Sequence, residues 1–125
     1  MRYLLDSHTL LWAVSQEQEL SETARQEIAS PHNVVFVSIA SLWELSLKET
    51  IGKLKLPGRF YRRLVEGGYE LLPIELSHIE TSARLPLHHR DPFDRMLIAQ
   101  AQTEQLTLMT RDAALLQYDV SIMKV

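Results

Sequence analysis

The sequence contains no cysteine. That absence excludes a disulfide framework, a thiolate zinc site and a cysteine nucleophile, and it fits a reducing compartment. No stretch approaches the roughly 20 apolar residues of a membrane-spanning helix. The start, Met1-Arg2-Tyr3-Leu4-Leu5-Asp6, runs straight into a strand-like segment and lacks the apolar stretch and cleavage site of a secretory leader. The expectation is a cytoplasmic protein with no membrane partner. Basic charge is not in surplus: 13 Lys and Arg face 16 Asp and Glu, a formal net charge of -3. Bulk attraction therefore does not drive nucleic-acid binding, although acids gathered around a cation can still meet a phosphate chain. Linkers, repeats and low-complexity stretches are also missing. With 125 residues, 46% of them hydrophobic and 23% charged, the chain suits one domain spanning 1–125 around one core.

What is present is alternation. Tyr3-Leu4-Leu5 reads as a short strand, ended by Asp6 and followed by a helix through Leu10, Leu11, Trp12 and Ala13 that Asp6 or Ser7 could cap. Ser21 opens a second helix, which Pro31-His32-Asn33 breaks. Val34-Val35-Phe36-Val37 is the clearest strand, β-branched, uncharged and expected to be buried on both faces. A helix follows from Ile39 to Thr50 and ends at Gly52. Pro57-Gly58 turns the chain into a helix over Arg59 to Glu66, and Tyr69 to Ile74 reads as a strand. Ser77-His78-Ile79-Glu80 has the form of a capping box for a helix ending near Leu85. Asp91-Pro92 starts another helix, Leu106 to Met109 is a strand, Asp112 opens a short helix through Leu116, and Val120 to Met123 closes the chain as a strand. Strand and helix in turn predict a mainly parallel sheet covered on both faces.

Asp is scarce, and its positions are informative: only 6, 91, 94, 112 and 119. Ligand sites of open parallel sheets gather outside the carboxyl ends of the strands. Asp6 and Asp112 each follow a strand, Asp94 lies in the first turn of a helix that starts at that edge, and Glu44 sits one turn into another. Each has an ordinary explanation: Asp6, Asp91 and Asp112 as caps, Asp94 as a charge favoured by the helix dipole, Glu44 as the i,i+4 partner of Lys48. Together they place four carboxylates at one end of one sheet, a repulsion that a divalent cation resolves. Oxygen donors suit Mg²⁺ or Mn²⁺ better than zinc, which would want Cys or a spaced His pair.

Four segments then carry a resemblance: Leu4-Leu5-Asp6-Ser7-His8, Ser38-Ile39-Ala40-Ser41-Leu42-Trp43-Glu44-Leu45, Asp91-Pro92-Phe93-Asp94-Arg95-Met96-Leu97-Ile98-Ala99-Gln100-Ala101, and Thr110-Arg111-Asp112, with Gly52-Lys53-Leu54 in support. In this order the chain resembles PIN-domain proteins, specifically the VapC-type ribonuclease toxins of toxin–antitoxin pairs. The resemblance implies a three-layer α/β/α fold on a five-stranded, mainly parallel sheet, and Mg²⁺- or Mn²⁺-dependent cleavage of RNA to a 5′-phosphate and a 3′-hydroxyl. It implies Asp6, Glu44, Asp94 and Asp112 as the catalytic and metal-binding acids, with Asp6 and Asp94 the foremost direct ligands. Asp91 is ambiguous, since the motif holds two Asp three apart; Asp94 ranks first because it heads the helical run. Asp91, Thr110 and Ser7 are accessory candidates. The resemblance further implies a homodimer and a small cognate antitoxin laid across a groove, for which Trp12, Phe60, Tyr61 and Leu64 are candidates if they are not simply core.

Lys48, Lys53, Lys55, Arg59, Arg62 and Arg63 place six of the thirteen basic residues in one short window. They form either a solvated face or a strip for RNA phosphates, and Arg95 and Arg111 flank the acids as further phosphate candidates. His88 and His89 fall in the loop before Asp91 and, as neighbours on an extended chain, cannot both face one metal. Asp6-Ser7-His8 is no triad, because adjacent residues cannot reach the mutual geometry. Two other readings compete. A phospho-receiver domain would need an acceptor Asp after a middle strand, where this chain has Ser38, and a Lys after a late strand, where none precedes Lys124. A catalytically silent PIN-fold binding module would not take up metal.

Overall fold

The structure is a computed structural model and describes residues 1–125. Its centre is a sheet of five strands: β1 (Arg2–Leu5), β2 (Val34–Ser38), β3 (Glu70–Leu72), β4 (Thr107–Thr110) and β5 (Ile122–Lys124). The order is β3-β2-β1-β4-β5, and every pairing is parallel. The helices are α1 (Ser7–Ser15), α2 (Glu22–Ala29), α3 (Ile39–Thr50), α4 (Phe60–Glu66), α5 (Leu76–Arg84) and α6 (Pro92–Glu104), with 3-10 turns at Glu17–Glu19 and Ala113–Gln117. This is the expected three-layer α/β/α architecture, its sheet wholly rather than mainly parallel.

Residue alternation along the strands explains the layers. Tyr3 and Leu5 point to one face, where they meet Leu10, Ala13, Ala24, Leu45, Phe60 and Leu64 from α1 to α4. Leu4 points to the other, against Leu97, Ile98, Ala99 and Ala101 of α6. β4 divides in the same way, Met109 to the first face and Leu108 to the second. α6 is consequently the most buried helix, although its amphipathic signal is weak: five consecutive residues from Leu97 to Ala101 are covered. In β2 Val35, Val37 and Ser38 are buried, whereas Phe36 is only partly covered and Val34 at the start is exposed.

Several element ends differ from the sequence expectation. Asp6, not Ser7, caps α1. The capping box lies two residues upstream of Ser77: the imidazole Nδ1 of His78 accepts from the Glu75 N–H at 3.0 Å. The periodic pattern identifies the helix but not this cap, because histidine is an unusual capping acceptor. β3 is shorter than Tyr69 to Ile74, and β5 is shifted toward the C-terminus relative to Val120 to Met123. Arg59 is not helical; at φ 61° it is a left-handed residue that turns the chain into α4. No helix is long and apolar enough to cross a membrane.

Candidate metal centre

From β1 the chain passes outward to β2 and β3, then returns to place β4 and β5 on the other side. The strand order therefore reverses between β1 and β4, and a crevice opens there at the carboxyl ends of the strands. Asp6 is the first residue past β1, and Thr110 ends β4 with Asp112 two residues on. The Thr110 hydroxyl donates to Asp6 Oδ2 at 2.5 Å, directly across this junction. The other oxygen of Asp6, Oδ1, accepts the Thr9 N–H at 2.9 Å as the cap of α1. Asp6 is thus fixed at both oxygens and is only 7% exposed.

Of the other acids, Asp91, Asp94 and Asp112 arrive from helix starts and Glu44 from the middle of α3. Glu44, also 7% exposed, accepts a short hydrogen bond from the Ser7 hydroxyl and pairs with Lys48 Nζ at 2.9 Å. The ordinary i,i+4 explanation of Glu44 is therefore correct and does not remove it from the site. Asp91 Oδ1 caps α6 by accepting from the N–H groups of Phe93 and Asp94 at 2.8 and 3.1 Å. Asp94 takes a 2.8 Å contact from His89 Nε2, which also lies 4.0 Å from Asp112 Oδ2. Asp112 caps the last 3-10 turn through the Ala114 N–H at 2.9 Å and is the most open of the set.

These side chains line one cleft of about 130 Å³, formed by Asp6, Ser7, His8, Glu44, Lys48, Asp91, Asp94 and Asp112, with no hydrophobic residue among them. Five carboxylates face one lysine there. Burial pushes the Asp94 carboxyl up to about 6; the hydrogen bond from His89 opposes this, and the Asp91 and Glu44 carboxylates add to it. The shift records how unfavourable the ionised Asp94 is at a buried position beside other carboxylates. The donor set fits a hard divalent ion: oxygen atoms, prearranged by hydroxyl and backbone donors, without a thiolate. Ligand atoms of His89, Asp94 and Asp112 all lie within 4.8 Å of one another.

The sequence places His89 in the loop before Asp91 and counts against its pairing with His88 at a metal; the structure brings His89 alone to the acids. Its position is set by Arg95, whose guanidinium donates to the carbonyls of Ser82, Leu85 and Pro86 at 2.7, 3.1 and 2.9 Å. Tyr118 adds to the same clamp, accepting the His89 N–H at 2.9 Å and donating to Pro86 at 3.0 Å. Arg95 is therefore spent on holding the loop and is not available to phosphate, contrary to the sequence expectation. Arg111 is engaged as well: it donates to the carbonyls of Val125 and Glu19 and lies 4.3 Å from the Trp12 ring centroid. The basic window separates. Lys48 lines the acidic cleft and Lys53 a hollow beside it, whereas Arg63 lines a different cavity between α1, α2 and α4. Lys55, Arg59 and Arg62 are exposed. Phe60 and Leu64 are core, leaving Trp12 and Tyr61 nearer the surface.

A fully parallel sheet with acids gathered at its switch point defines an α/β protein with a carboxylate-lined cleft at the carboxyl edge of the sheet. The chain belongs to the PIN domain family, whose model matches residues 3–121. Among solved structures it is similar to VapBC2 from Rickettsia felis bound to a promoter DNA fragment, with a TM-score of 0.76 and 16% identity over 99% of this chain and 98% of that one. DNA-bound VapBC from Salmonella typhimurium gives 0.72 and 16%, with the same coverage. VapBC-5 from Mycobacterium tuberculosis gives 0.58 and 18% over 99% of this chain and 97% of that one. At these identities the likeness establishes the fold. A comparison with curated proteins finds no match.

Proposed function

We propose that the protein is a divalent-metal-dependent endoribonuclease acting as the toxin of a toxin–antitoxin pair. The observation that carries this reading is the convergence of Asp6, Glu44, Asp91, Asp94 and Asp112 on one wholly polar cleft at the β1/β4 junction. The similarity to VapBC assemblies supports the toxin assignment. In this reading Asp6, Asp94 and Asp112 hold Mg²⁺ or Mn²⁺, with Glu44 available to a second ion or to the attacking water. Such a cation supplies charge neutralisation at the phosphate and a more acidic water, so no protein nucleophile is required.

The protein's own contribution is preorganisation. Thr110 and the Thr9 N–H fix Asp6, Ser7 and Lys48 fix Glu44, and Asp91 fixes the start of α6 and with it Asp94. Lys48 and Lys53 at the cleft margin supply positive charge for RNA phosphates. His89 Nε2 lies 2.8 Å from Asp94 and 4.0 Å from Asp112 and orients Asp94, as partners of metal ligands commonly do. His89→Ala is expected to lower metal-supported cleavage by about 10- to 100-fold. Activity equal to wild type in that variant would show that the contact only orders the loop.

Two surfaces support the partners. A cavity of about 420 Å³ between α1, α2 and α4, lined by Ala13, Val14, Leu20, Ile28 and Tyr69 with Arg25 and Arg63, can receive an antitoxin segment. Ile39, Trp43 and Leu47 of α3 and its C-cap Ile51 recur every fourth residue and are all exposed, a stripe suited to a second copy of the chain. The catalytic proposal is tested with purified protein and RNA. Cleavage is expected with Mg²⁺ or Mn²⁺, to be lost on chelation and to return on adding metal back. A protein that takes up no metal and cleaves no RNA would favour the binding-module alternative.

A further inference from the structure

Beside the acidic cleft lies a second hollow of about 250 Å³, lined by His8, Leu11, Leu45, Lys48, Lys53 and Leu54. It shares His8 and Lys48 with the cleft, so the two adjoin. Its composition is opposite in character: three leucines make the apolar part, and the two lysines and the imidazole carry the polar groups. Its volume falls short of the roughly 300–1,000 Å³ of pockets that enclose whole cofactors. It is of a size for a single ring system.

His8 gives the hollow an aromatic wall. It is the second residue of α1, exposed, and stacked on Trp12 one turn later, with centroids 5.8 Å apart and planes inclined by 22°. The stack holds the imidazole against an indole rather than leaving it free to rotate. A face of this kind, with leucines beside it and cations at its edge, is what single-stranded nucleic acid uses: bases stack on aromatic planes while lysines follow the phosphates. An apolar peptide side chain could enter the leucine-lined part but would leave the two lysines without an anion, which a nucleotide supplies beside its base.

We propose that this hollow is a nucleobase subsite: it takes the base of the nucleotide next to the scissile phosphate, stacked on His8 and flanked by Leu11 and Leu54, with Lys48 and Lys53 meeting the adjoining phosphates. The proposal rests on the RNA-cleaving reading of the acidic cleft and adds to it the residues that hold the substrate strand in place.

The test needs no catalysis. Trp12 reports on the subsite because its ring lies against His8. In ¹⁵N-labelled protein the two indole N–H signals are distinguished by Trp43→Phe, then adenosine 5′-monophosphate with MgCl₂ is titrated against ribose 5-phosphate with MgCl₂. The Trp12 signal is expected to shift saturably with the nucleotide, with a midpoint on the order of millimolar. Ribose 5-phosphate should leave it nearly unmoved. His8→Ala should abolish the shift, and His8→Phe, which keeps an aromatic face, should preserve it. In RNA cleavage His8→Ala should raise KM roughly tenfold with a smaller change in kcat. An equal response to ribose 5-phosphate, no response up to about 10 mM nucleotide, or a response that survives His8→Ala overturns the subsite. A base-dependent shift in a protein that cleaves no RNA would instead overturn the nuclease reading and leave the subsite standing.

Discussion

Replacing Asp6 by Asn is expected to lower RNA cleavage by roughly 10³-fold or more, about 4 kcal/mol of transition-state stabilisation, while leaving the fold intact. The substitution separates charge from shape. Asn caps helices as well as Asp does, so the 2.9 Å bond from the Thr9 N–H survives through Oδ1. The other atom becomes an amide nitrogen facing Thr110, whose hydroxyl can accept as well as donate. What disappears is the anionic oxygen at the β1/β4 junction, and with it a ligand for the cation. Asp6→Ala would be a poorer test, since it also removes the cap. Assay of cleavage beside a thermal melt decides the matter: a folded Asp6→Asn protein with near-normal activity would remove Asp6 from the chemistry.

Asp94→Asn should abolish activity and make the protein more stable. In the folded protein the Asp94 carboxyl is pushed up to about 6 from an ordinary 3.8, chiefly by burial, with Asp91 and Glu44 adding to it. The folded state therefore holds this proton more tightly than the unfolded chain does. Its destabilising effect is absent below the unfolded value, grows as pH rises from about 4 to 6, and is complete above that. A displacement of that size corresponds to about 3 kcal/mol at neutral pH. The side chain is 21% exposed, so little is lost to solvent screening. Asn keeps an acceptor for His89 and discards the charge. Its melting temperature should exceed wild type by roughly 5–10 °C at pH 7.5, the gap closing as pH falls toward 4. Mg²⁺ should raise the wild-type melt at pH 7.5 and move the variant far less. Equal melts at both pH values would show that the carboxyl is not held against its preference.

Part of this site could be read from the chain and part could not. Asp6, Asp94 and Asp112 each sit where a strand ends or a helix begins, and those ends are written in local sequence: Leu5 then Asp6, Asp91-Pro92, Thr110 then Asp112. The parallel sheet follows from the same local rhythm. The bond from Thr110 to Asp6 does not, because it depends on β1 and β4 being neighbours across 104 residues of chain. His89 escaped for a related reason. Nothing beside it in sequence turns its ring toward Asp94; that is done by Arg95 and Tyr118 gripping the carbonyls of the preceding loop. Arg95 was misread for the same cause, a cation beside acids in sequence whose partners are backbone oxygens in space. The basic window divides because Arg59 turns the chain in a left-handed conformation, which carries α4 and Arg63 to another cavity. Local signals located the acids, and tertiary contacts decided which side chains support them.

Anomalous diffraction from crystals grown with MnCl₂ puts the matter most directly. The account predicts a manganese peak in the cleft at the ends of β1 and β4, within coordination distance of Asp6 and Asp94, and its loss in Asp6→Asn. Ordered crystals with no peak there, or with manganese bound only at acids elsewhere on the surface, would contradict it.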